Sequence, residues 1–146
     1  MNKIYRILPV IHAFVGVGAI AGGLGAILNP NEPMGMSTQY LKNSPFDNFF
    51  IPGLILFTVI GLGNILSAIL FRYKLKYQGY ISSIFSWALI IWIVVQCIML
   101  WAIGILHILY FIIGLIEALL SFLILLEQRL FPANIVLLIY NKFKKA

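Results

Sequence analysis

The chain has 146 residues, of which 62% are hydrophobic and 10% charged, with a formal net charge of +6. Soluble domains average about 45–50% apolar and about 25% charged residues, and a fold of this size has too much surface per unit volume to hide such an excess from water. The composition therefore excludes a soluble globular domain, and the single cysteine, Cys97, excludes an intramolecular disulfide.

One all-α integral membrane domain is expected over residues 1–146, built as a four-helix bundle. The first span covers residues 7–28, an apolar run whose one strongly polar member is His12. About 20 such residues cross the hydrocarbon core. The start MNKIYR is basic, as in a signal peptide, but signal h-regions are only about 7–15 residues long. A retained first helix is the expectation. Gly18, Gly22 and Ala26 recur every four residues, and His12, Gly16, Ala19, Gly23 and Ala26 recur at alternating four and three. Small residues let helix backbones approach closely in lipid. Span one should thus touch two neighbours. Both could lie in one bundle, or one could be a second copy of the chain or another membrane protein.

Residues 29–49 form the outer loop, and Pro30, Pro33, Pro45 and Pro52 punctuate it and the start of the next span. Each proline removes a backbone donor and restricts the residue before it. The segment STQYLK reads as a short helix capped by Ser37. Phe46, Phe49 and Phe50 are placed at the membrane interface. The loop is either a compact cap on the bundle or a lid over a cavity.

The stretches GLGAILNPNEPMGM and LKNSPFDNFFIPGLIL carry Pro30, Gly35, Leu41, Pro45, Phe46, Phe49, Pro52 and Gly53. This pattern resembles one found in small bacterial four-span membrane proteins of uncharacterised function. The resemblance covers about residues 22–56, implies a four-span bundle, and brings no activity with it.

Span two, residues 50–71, holds Asn64 with Gly61 and Ala68 on roughly its face. From Ile84 to Leu126 the chain is almost unbroken apolar sequence. As one helix that run would be about 65 Å long, against a core of about 30 Å. It must fold back, and the turn is placed at WAIGILH, Trp101 to His107, whose amphipathic rings suit the interface. Span three is residues 81–101 and span four 107–126. Pro132 should break the helix, and residues 132–146 should form a short interfacial helix with a basic end.

Four spans put Lys3, Arg6, Arg72, Lys74, Lys76, Arg129, Lys142, Lys144 and Lys145 on one side and only Lys42 on the other. By the positive-inside rule both termini are cytoplasmic, and the basic residues are topology signals at the lipid surface. No aromatic-and-basic module for nucleic acid is present.

Span four raises the functional question. His107, Tyr110, Gly114, Glu117, Ser121 and Gln128 are spaced to share one helix face, with Glu117 deep in the membrane. An ionisable group there is costly and marks a functional site by default. The candidate site groups Glu117 with Asn64, Ser86, Ser121 and His12 as a ligand- or proton-binding cluster. Against it stands interhelical glue, in which a protonated Glu117 donates to Asn64.

The chain carries no zincin, nucleophile-elbow or P-loop motif, so no enzyme, cofactor or metal site is expected. The leading expectation is a protein that binds lipid or a small amphiphile, or an accessory subunit of a membrane complex, with its polar site around Glu117. The alternatives are a dimeric proton-coupled transporter and a purely structural bundle. Small four-span drug exporters also use an intramembrane glutamate, but in their first span, whereas here it lies in the fourth.

Overall fold

A computed structural model describes residues 3–73 and 75–144, which form helices and turns with no strand. Four helices are long and apolar enough to cross a membrane: α1 (Ile4–Leu28), α2 (Phe50–Arg72), α3 (Gln78–Leu100) and α4 (Ile105–Glu127). A fifth, α5 (Ala133–Lys144), follows them. α1, α3 and α4 start two or three residues before the spans expected over 7–28, 81–101 and 107–126. Helical hydrogen bonding continues into flanking polar residues such as Tyr5 and Gln78, since the backbone needs those bonds whatever the side chain. Pro9 is accommodated inside α1.

The helices pack in a ring, with α1 against α2, α2 against α3, α3 against α4, and α4 back against α1. Successive helices fold back on one another, across the loop 29–49 and two short turns, so ring neighbours are antiparallel, which is the up-down-up-down bundle. The end where α1 begins is the proximal end, and the other is distal. Leu8, Phe71 and Ile124 form a proximal apolar layer. Val15, Ala19, Ile60, Leu89, Trp92 and Ile93 form the middle layer. Ala26, Leu41, Phe49 and Met99 form the distal one.

The small residues of α1 set its spacing. A Cβ on Gly23 would fall 2.7 Å from the Phe57 backbone nitrogen and 2.8 Å from the Gly53 carbonyl oxygen. Gly16 meets Ile65 and the Gly61 carbonyl in the same way. Gly18, on the other small face, lies under the Tyr110 hydroxyl of α4. Both small faces of α1 thus meet neighbours inside the bundle.

The loop after α1 closes the distal end. A 3₁₀ turn runs over Thr38–Leu41, and Ser37 Oγ accepts the Gln39 N–H at 3.2 Å. Leu41 and Phe49 are buried, and the Phe49 N–H donates to the Pro30 carbonyl at 2.9 Å. This segment is packed as a cap. The α3–α4 turn falls at Trp101–Gly104. Its left-handed residue is Trp101 (φ 47°) rather than the glycine, and the Gly104 N–H donates to His107 Nδ1 at 3.0 Å. Pro132 does not itself end α4. The helix stops at Glu127, and Arg129 (φ 52°) turns the chain before the proline is reached.

A polar layer centred on His12

Each long helix contributes one side chain to a polar layer between the proximal and middle apolar layers. His12 of α1 is its centre. Its Nδ1 lies 2.6 Å from Asn64 Oδ1 of α2 and its Nε2 lies 2.6 Å from Ser82 Oγ of α3. Glu117 Oε1 of α4 lies 3.1 Å from the same Nδ1. All four side chains are fully buried. At 1.5 Å rise per residue, the four Cα positions lie about 6–15 Å inside the proximal helix ends.

Local sequence explains the arrangement. Gly16 and Gly61 bring α1 and α2 close enough for an imidazole to reach an amide. Gly63 lies beneath the Phe85 ring of α3, and Gly79 of α3 packs against Ile124 and Leu125 of α4. Within α2, residues Leu56–Leu62 are π-helical. Such wide turns are rare and tend to occur at functional sites. This one ends just before Asn64, whose Nδ2 donates to the Ile60 carbonyl at 2.8 Å.

That last bond fixes the histidine. With its NH₂ donating to Ile60, Asn64 turns Oδ1 toward the imidazole. An amide oxygen only accepts, so His12 Nδ1 carries a proton and donates it. Nε2 then either accepts from the Ser82 hydroxyl as neutral imidazole or donates to it as imidazolium. Glu117 Oε1 is within ion-pair reach of Nδ1, but the N–H is aligned on Asn64. Neither Glu117 oxygen makes a hydrogen bond to the described residues.

The expected cluster is therefore partly assembled. His12, Asn64 and Glu117 come together. Ser86 and Ser121 are buried on the same faces but donate to their own helices, Ser86 Oγ to the Ser82 carbonyl at 2.7 Å and Ser121 Oγ to the Ala118 carbonyl at 2.9 Å. The Glu117–Asn64 hydrogen bond of the interhelical-glue reading is not formed: Asn64 Oδ1 faces His12 Nδ1 and its Nδ2 donates to the Ile60 carbonyl. Sequence reading missed Ser82. It stands four residues before Ser86 on the same face, and that spacing could have found it, but it lies at the edge of the apolar run. Among the described residues no three His, Cys, Asp or Glu side chains converge as metal ligands would.

A second feature lies at the distal end. A groove of about 590 Å³ opens between α3 and α4, lined by Ile93, Cys97, Ile98 and Phe111, with Trp101 and His107 at the turn.

The fold and this layer together define a four-helix bundle with the length and apolarity of a multi-pass membrane protein and a buried ionisable pair at its centre. Comparison of the chain with protein-family models, curated proteins and solved structures finds no match.

Proposed function

We propose that this chain is a multi-pass membrane protein with cytoplasmic termini that binds a small amphiphile, acting alone or as an accessory subunit of a membrane complex. The orientation rests on the nine basic residues assigned to the proximal side against Lys42 on the distal side. In that setting α5 lies along the cytoplasmic interface. Its exposed Ile135, Val136, Leu138 and Ile139 enter the lipid, and Lys142 reaches headgroups.

The groove carries the binding reading. Its volume is in the range of small-molecule sites, its walls are apolar, and its polar groups sit at one end. An acyl or prenyl tail would lie along Ile93, Cys97 and Phe111, with the head beside Trp101 and His107. This moves ligand contact from Glu117, where it was expected, to the distal end. The enclosed His12 layer would hold the helices in register around the groove.

Native mass spectrometry of protein taken directly from membranes tests the reading. Wild type should retain an amphiphile-sized adduct that Cys97→Trp, which fills the groove, loses. Val17→Trp, on an exposed face of α1, should keep it. An adduct retained equally by all three proteins would sink the groove assignment.

One observation favours a second reading, a proton-coupled transporter. A carboxylate and an imidazole 3.1 Å apart, both fully buried, form a group that can hold a proton within the membrane. Its sign is pH-gradient-driven flux in liposomes that Glu117→Gln abolishes.

A further inference from the structure

The polar layer has unequal surroundings. On its distal side lie the apolar middle layer and then the packed cap. On its proximal side buried polar atoms continue. Gln78 lies one turn before Ser82 on the same face of α3, and it is 4% exposed. Its Oε1 has no partner among the described residues, and neither do Ser67 Oγ of α2 and Gln128 Oε1 just past α4. Native interiors rarely leave such atoms unbonded, and ordered water is their usual partner. Toward the distal side the corresponding orphan is the Trp92 indole N–H. It is a donor only and cannot accept and pass on a proton.

The tautomer argument selects the ring nitrogen that exchanges. Asn64 holds a proton on Nδ1, so uptake and release must use Nε2, which faces Ser82. We propose that the polar layer is a proton-binding site open to the proximal side alone, with His12 Nε2 loaded and unloaded through the Ser82 hydroxyl and a hydrated seam past Gln78. This deepens the proton-holding reading and does not depend on the groove.

The step needs only a proton from the proximal solution. Ser82 passes its hydroxyl proton to Nε2 and recovers one relayed through the water behind it from a hydronium ion, which is left as water. The imidazolium so formed is faced by the Glu117 carboxylate. Release reverses the transfer. Among the described residues no other titratable side chain is hydrogen-bonded to or ion-paired with the two. Tyr5 and Arg6 of α1, Arg72 of α2, Tyr80 of α3 and Glu127 of α4 lie toward the proximal end, while Cys97 of α3 and Tyr110 of α4 lie toward the distal end.

Nitrogen NMR of ¹⁵N-histidine-labelled protein in lipid nanodiscs tests both parts, with His12 assigned by its loss in His12→Gln. In wild type, Nδ1 should be protonated throughout about pH 5–9. A bare Nδ1 would overturn the assignment without need of any variant. Ring N–H exchange with solvent should slow at least about tenfold in Ser82→Ala and in Gln78→Leu, each of which breaks one hydrogen-bonded link. Trp92→Phe, which removes the orphan N–H on the distal side, should leave the rate unchanged. Gln78 sits at a helix end, so its variant remains informative if Ser82→Ala fails to fold. Unchanged exchange in Gln78→Leu, or slowing in Trp92→Phe, would overturn the proximal route.

Discussion

Replacing His12 by leucine should destabilise the bundle far more than replacing Glu117 by leucine, although the two form one buried ionisable pair. His12→Leu removes two interhelical contacts, to Asn64 and to Ser82, each 2.6 Å long. Interhelical hydrogen bonds in membranes are worth about 0.6–1.7 kcal/mol each, so their loss costs about 1–3 kcal/mol. It also leaves Glu117 buried with no partner, and breaking a buried pair in this way brings the total to about 3–5 kcal/mol. Glu117→Leu is different. A neutral imidazole keeps both hydrogen bonds, and the carboxyl group that leaves was making none to the described residues. That variant should lie within about 1 kcal/mol of wild type, or above it, as apolar replacement of buried charge often does. The double variant should be more stable than His12→Leu alone, with a coupling of at least about 1 kcal/mol. Reversible unfolding in mixed micelles, followed by tryptophan fluorescence, measures all four proteins. If Glu117→Leu proves as damaging as His12→Leu, the glutamate holds the helices together and the His12-centred account is wrong.

Two further outcomes follow from packing and charge. Gly23→Ala should lower the midpoint of thermal unfolding in detergent by an amount equivalent to about 1–3 kcal/mol, since its Cβ meets backbone atoms of α2 that cannot yield. Gly22→Ala, whose Cβ would meet only Leu56 Cδ2 at 3.4 Å, should be nearly silent, and equal effects would refute this packing of α1 on α2. In a Cys97→Ala background, Lys42→Cys should react with an impermeant thiol reagent added outside intact cells, and Lys76→Cys only after lysis. The reverse pattern would invert the proposed orientation.

Much of the bundle was legible in the chain because lipid leaves few choices. With no water to satisfy the backbone, a long apolar run must be helical, and its length counts the spans. The turn near Trp101 followed from the excess length of residues 84–126. The α1 face of His12, Gly16, Ala19, Gly23 and Ala26 was readable as a period, and all five residues are buried. The α4 stripe through Gly114, Glu117 and Ser121 was readable in the same way.

The composition of the polar layer was readable only in part: His12, Asn64 and Glu117 were expected in it, whereas Ser82, and which of the four touch, were not. Helical periodicity tells which residues share a face of one helix, but not which face of another helix it meets or at what height. Ring order and the close approach at Gly16, Gly61 and Gly63 decide that, and they depend on contacts between residues far apart in the chain. Glu117 attracted attention because a carboxylate in lipid is rare, yet His12 holds the bonds. The sequence by itself determined four apolar helices and two ionisable groups, His12 and Glu117, on inward faces. Only the tertiary structure decided that an imidazole from the first helix would reach the second, third and fourth. It also decided that the Ile60 carbonyl, through Asn64, would select which of its nitrogens is free to exchange a proton.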